Sequence, residues 1–175
     1  SAGPGATTAE IAAKAKISEG SIFKRFNTKT ELFQAALGAS VQPGWFEVLP
    51  AAMEMGLQEG LMRVGQAALE FFIELIPRLS MMLSTLPDAH QGLPTFSREG
   101  MPVKAIRMLA GLMQHWQQKG LMRQTDPEVG ARMFLGAIFH YAFTEVSGIN
   151  RWLPMPRQQF LEHLVENLAR GLEAR

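Results

Sequence analysis

Apolar residues along this chain recur at threes and fours, the spacing of one helix face. Leu61, Val64, Ala68, Phe72, Leu75 and Leu79 make one such row, and Pro77 is expected to kink or end that helix. Ala105, Leu109, Leu112 and Trp116 make another, on a helix that Pro102 opens and that stops before Gly120. Asp126-Pro127 is an N-cap followed by a first-turn proline, which predicts a helix to about Ser147. A turn from Gly148 to Pro156 leads to a last helix carrying Phe160, Leu161, Leu164, Leu168 and Leu172. Residues 85–99 hold two prolines and a glycine and read as a loop. No stretch alternates convincingly with period two, so the fold class is all-α, and no internal repeat is visible.

The front of the chain reads differently. Its helices are short and marked by their ends. Thr7-Thr8-Ala9-Glu10 is a capping box, predicting a helix from Thr8 to Ala15. Ser18 is the next N-cap, for a helix from about Glu19 to Arg25. Thr28-Lys29-Thr30-Glu31 is a second box, for a helix to about Leu37 with Gly38 as its stop. Only Lys16-Ile17-Ser18 join the first two, which makes a helix-turn-helix. Ile11, Ile17, Ile22, Phe26 and Leu32 fall where a small three-helix core needs apolar groups, and Ala12 and Ala15 are small enough for close crossing. Pro43, Gly44 and Pro50 mark residues 39–50 as a boundary. Two domains follow: residues 1–40, the helix-turn-helix, and residues 41–175, a larger helical bundle.

Composition narrows the chemistry. The chain has 175 residues, 47% of them hydrophobic, and eleven Met and eleven Phe against one Tyr. That mixture suits a core and an adaptable apolar pocket alike. There is no Cys, which excludes disulfides, thiolate nucleophiles and zinc–thiolate sites and permits a reducing, cytoplasmic setting. No signal peptide and no apolar run of ~18 residues is present, so no membrane span is expected. Lys14, Lys16, Lys24, Arg25 and Lys29 against Glu10, Glu19 and Glu31 leave residues 1–38 at +2, a bias compatible with phosphate binding. No phosphate-cradling glycine loop and no Gly-x-Ser-x-Gly elbow occurs. His90, His115, His140 and His163 are scattered without ligand spacing. No catalytic residue, metal or cofactor is expected, and the chain does not read as an enzyme.

The run Thr-Thr-x-Glu-Ile-Ala-x-x-Ala-x-Ile-Ser-x-Gly-Ser-Ile-Phe-x-x-Phe-x-Thr-Lys-x-x-Leu, from Thr7 to Leu32, resembles the DNA-binding signature of the TetR (tetracycline-repressor-like) family. The resemblance implies that Thr7 caps the scaffold helix and touches a phosphate. With Ser18 it frames a recognition helix on which Gly20 permits close approach to the duplex. Ser21, Phe23, Lys24 and Arg25 would face DNA, and Lys29 would hold a phosphate. The same residues read without the resemblance are ordinary N-caps and a solvated basic face. Two departures stand out. Lys16 occupies a turn position where the family usually has Gly, at a cost of about 1 kcal/mol if the position needs positive φ. Family members also begin with a further helix, whereas only Ser1 to Ala6 precede Thr7 here, so the head is expected to be incomplete.

For the remainder, the resemblance implies a bundle that binds a ligand and dimerises. Phe71, Phe72, Leu75, Leu79, Met82, Met108, Leu112, Met113, Trp116, Phe139 and His140 are pocket candidates, suited to a small apolar or aromatic effector. His115, Tyr141 and Glu145 are further polar groups that could orient it. Phe134, Ile138, Phe160, Leu164 and Leu168 are candidates for a homodimer interface. Any of these apolar rows could equally be plain core. The reading that follows is a ligand-responsive regulator in the cytoplasm, at the nucleoid, a repressor released from a palindromic double-stranded operator by its effector. A helical sequestering protein without specific DNA binding, and a small all-helical enzyme, remain the alternatives.

Overall fold

The computed structural model describes residues 6–29, 31, 32, 35, 43–85 and 100–172, the side chains of 81–85 excepted. The described residues are helices and turns: α1 (Thr8–Ala15), α2 (Glu19–Phe23), a 3-10 turn (Gly44–Phe46), α3 (Leu49–Met53), α4 (Leu57–Thr85), α5 (Met101–Gln118), α6 (Pro127–Val146), a second 3-10 turn (Ile149–Arg151) and α7 (Arg157–Leu172). No helix among them is long and apolar enough to cross a membrane.

The head forms where its caps predict. Thr7 Oγ1 accepts from Glu10 N at 3.2 Å while Glu10 Oε2 accepts from Thr7 N at 2.7 Å, closing the box reciprocally. Ser18 Oγ accepts from Ser21 N at 3.1 Å and opens α2. Thr28 Oγ1 accepts from Glu31 N at 3.0 Å, but Glu31 reaches back to Asn27 N (2.6 Å), one residue earlier than a standard box. The end of that third helix, with Leu37 and Gly38, lies outside the described residues. Lys16 is left-handed, with φ 56°. Lys16 N donates to Ala13 O (3.2 Å) and Ile17 N to Ala12 O (3.0 Å), the paired bonds of a Schellman ending. That ending requires a positive φ, so the lysine bears the strain that its sequence position foretells. Ala12 and Ile22 are buried. Ile17, a core residue by its spacing, is 49% exposed, because it sits on the turn beyond α1. Ala15 is likewise exposed.

The described part of the bundle begins at Pro43. Pro43 to Pro50 is folded chain: Trp45 is 1% exposed and packs with Leu49 and Ala52 in the main core. Pro50 lies in the first turn of α3, where its missing N–H costs nothing. α4 runs through Pro77 without ending. Pro77 is exposed, so the carbonyl deprived of its N–H partner can turn to water. α5 starts with Pro102 in its first turn, and Leu109, Leu112 and Trp116 are buried as the spacing predicts. Asp126 Oδ1 accepts from Glu128 N at 2.9 Å and caps α6.

Close helix crossings explain two glycines. A Cβ on Gly60 would stand 2.4 Å from Trp116 Cζ2, and one on Gly130 would stand 2.8 Å from Met113 Sδ. Neither indole N–H of the buried pair Trp45 and Trp116 has a hydrogen-bond partner among the described residues. α5 is tied to α3 at one point: Met53 O accepts from His115 Nε2 and from Lys119 Nζ, both at 3.2 Å. Gln117, buried, donates to Thr125 O (2.7 Å) and Arg123 O (3.2 Å), which fixes the turn into α6.

Candidate nucleic-acid interface

The expected DNA-facing residues lie on α2 and on the segments either side of it. Thr7, Ser18, Gly20, Ser21, Phe23, Lys24 and Arg25 are all exposed, and Lys29 is half-buried. Phe23 is 47% exposed, an uncommon position for a phenyl ring in a small core. Its neighbour Ile22 is the buried residue of α2. Among the described residues, a Cβ built on Gly20 meets Ser18 Oγ alone, at 3.8 Å, so no contact among them calls for glycine. Ser18 Oγ and Ser21 Oγ share a hydrogen bond of 2.8 Å. The Arg25 guanidinium lies 5.8 Å from the centre of the Phe26 ring, which braces it beside the helix.

The starts of the helices converge. Thr8 Oγ1, in the first turn of α1, donates to Glu19 Oε1 at 2.5 Å. Glu10 is held below its ordinary carboxylate pKa by the Thr7 N–H, then by the Thr7 hydroxyl, and more weakly by the positive charge of Lys29. The α1 cap, the α2 start and Lys29 thus belong to one electrostatic neighbourhood. No local spacing announces the bond between Thr8 and Glu19, because it depends on how two helices cross.

Elsewhere the structure sorts the expected residues. Leu112, Met113 and Trp116 pack inside the bundle core. Phe71, Phe72, Leu75, Leu79 and Met108 are half-buried, and the Phe72 ring meets Phe139 edge-on with centroids 5.4 Å apart. Phe139 and His140 are exposed, and the side chain of Met82 lies outside the described residues. Three of the polar groups are engaged elsewhere: His115 with Met53 O, Tyr141 Oη with Met155 O (2.6 Å) and Glu145 with Arg157. A cavity of about 450 Å³ opens at a different place, between Gln58, Glu59 and Met62 of α4 and Glu162, Val165, Glu166 and Arg170 of α7.

Phe134 and Ile138 are fully buried within the protomer, facing Gly65, so they are core and offer no surface to a second copy. Leu168 is buried too, while Phe160 and Leu164 are half-buried at the margin, Phe160 stacked on Tyr141 with centroids 4.2 Å apart. The exposed apolar face of α6 is the opposite one. Val129 (51%), Met133 (59%) and Phe143 (44%) line it, with Gly136 and His140 between them. The turn after α6 adds Trp152, 81% exposed, and Leu153.

Comparison with known proteins bears on both parts. Residues 2–36 match the model of the bacterial regulatory proteins, tetR family. The chain is 28% identical over 171 residues to the uncharacterised HTH-type transcriptional regulator YvkB of Bacillus subtilis, covering 96% of this chain and 87% of that one. Its fold is similar to that of a candidate TetR-family transcriptional regulator from Mesorhizobium loti, with a TM-score of 0.76, 19% identity, and 97% and 88% of the two chains covered. A candidate fatty acid metabolism regulator of Clostridium perfringens is also similar, with a TM-score of 0.67, 21% identity, and 98% and 91% covered.

Proposed function

We propose that the chain is a regulator of the tetR type, as the match of residues 2–36 and the 28% identity to an HTH-type regulator support, and that it is a repressor released from a palindromic operator by a small apolar effector. The observation that carries the reading is the surface of α2. A short, capped helix exposes a phenyl ring, two hydroxyls and two cations beside a glycine that no contact among the described residues requires. A helix seated in the major groove uses such groups: cations for phosphates, Ser for base edges, Phe for a thymine methyl. Thr7, Ser18, Gly20, Ser21, Phe23, Lys24, Arg25 and Lys29 are the proposed DNA contacts.

A two-fold operator needs two heads, and α6 supplies a reason for a dimer. The helix is apolar all round, yet only one side is covered within the protomer. A helix of that kind is buried in its working state. Val129, Met133, Gly136, His140 and Phe143, with Phe160 and Leu164 of α7, form the proposed contact with a second copy. The effector would lie against the half-buried Phe71, Phe72, Leu75, Leu79 and Met108, with Phe139 at their edge. Its binding shifts the population toward a state whose heads are misplaced for adjacent major grooves, by no more than its differential affinity for the two states. Such a protein works in the cytoplasm, at the nucleoid.

Fluorescence anisotropy with the DNA upstream of its own gene, taken across a salt series, tests this. Tight, sequence-selective binding is expected, and Lys24→Ala with Lys29→Ala should reduce the salt slope by about 2, one for each phosphate left without its cation. Absence of selective binding at low salt to any duplex from a randomised pool would overturn the proposal.

A further inference from the structure

Among the hydroxyls and cations around α2 stands one held carboxylate. Glu19 is the first residue of α2 and is exposed. Its Oε1 accepts from Thr8 Oγ1 at 2.5 Å, a bond across eleven residues that joins the starts of α1 and α2. That bond is not a cap. Thr7 and Ser18 already cap the two helices, so the Glu19 side chain is not needed to satisfy a backbone donor. Thr8 engages Oε1 and restrains the rotamers of a side chain that would otherwise sweep freely.

A carboxylate at this place meets a hostile surrounding when DNA is bound. Phosphates repel it, and a docked duplex strips its water. It is tolerated only where a base edge donates to it. In the major groove the cytosine N4 amino group is such a donor. Adenine N6 also donates, but N7 beside it is an acceptor that repels a carboxylate. Residues at the start of a recognition helix are the ones that reach base edges. We propose that Glu19 is a specificity-determining residue of the head, fixing a cytosine at one position of each half-site, with Thr8 as its positioning residue. The proposal rests on the DNA-binding role of the head.

Selection from a randomised duplex pool tests it, using the protein, Glu19→Gln, Glu19→Ala and Thr8→Val, each matched for helicity and thermal unfolding. The unsubstituted protein should enrich one site with an invariant cytosine in each half. Glu19→Ala should equalise the four bases at that position alone, and should bind the original site roughly ten-fold more weakly. Glu19→Gln should move the preference to adenine, because an amide can donate to N7 while accepting from N6. Thr8→Val should keep the cytosine but blur it. The inference is overturned if Glu19→Ala selects the original site unchanged, or if it loses preference equally at every position, as a structural role would require. Tighter binding of Glu19→Ala to all sequences would also overturn it, reducing Glu19 to a repelling charge. A pool in which the unsubstituted protein enriches nothing removes the DNA-reading role itself, which is a different failure.

Discussion

In the head, each helix is defined by a hydroxyl or carboxylate at its start. In the bundle, helices are defined by apolar groups along their length. The head buries Ala6, Ala12 and Ile22 among its described residues, whereas the bundle closes over Trp45, Leu61, Val64, Trp116, Phe134 and Ile138. The difference is one of energy scale. A cap contributes about 1 kcal/mol, and a large buried side chain contributes several times that. Among the described residues, the head's contacts are therefore of the smaller, local kind.

The comparison can be broken most forcefully from the bundle side. Trp116→Ala removes a side chain with no exposure that lies against Gly60, and should cost about 3–5 kcal/mol in urea unfolding. A loss below about 1 kcal/mol would mean that the core is not organised around this ring. The head should respond on a smaller scale. Thr7→Ala deletes the acceptor for Glu10 N, and should cost about 1 kcal/mol. Amide exchange should place that loss in the first turn of α1 and leave α4 to α6 untouched. The same box gives the head a pH dependence. The Glu10 pKa is depressed on folding, so its contribution is present above the ordinary value of 4.5 and is withdrawn as the pH falls below it. Protection factors at α1, corrected for the intrinsic pH dependence of exchange, should fall over that acidic range and should stay level there in Glu10→Gln. The smallest change has the opposite sign. Lys16→Gly relieves a left-handed lysine and should gain up to about 1 kcal/mol, less what glycine adds to the entropy of the unfolded chain.

What can be read ahead of the structure follows the range of the interaction involved. Thr7, Ser18 and Asp126 announce helix starts because a cap is settled within three residues. The left-handed Lys16 is legible for the same reason. Pro77 does not end its helix; whether a proline does so depends on whether water can reach the carbonyl it leaves unpaired, and that is a matter of burial. Two prolines and a glycine in residues 43–50 give no sign that Trp45 among them is buried. The sides of α6 are illegible on principle. With Val129, Met133, Phe134, Ile138 and Phe143 spread around it, no periodicity tells the inner face from the outer. The caps and exposed residues around α2 are readable one by one, but the tie between Thr8 and Glu19 requires the crossing of two helices.

The three tryptophans divide into two optical populations. Trp45 and Trp116 sit almost wholly out of water with idle indole N–H groups, while Trp152 stands 81% exposed at the turn after α6. The first pair emits from an apolar cage at short wavelength and is shielded from acrylamide. The third emits red-shifted light and is quenched at once. Recorded at the two edges of the spectrum, a single unlabelled sample thus reports separately on the soundness of its interior and on whatever settles against Trp152.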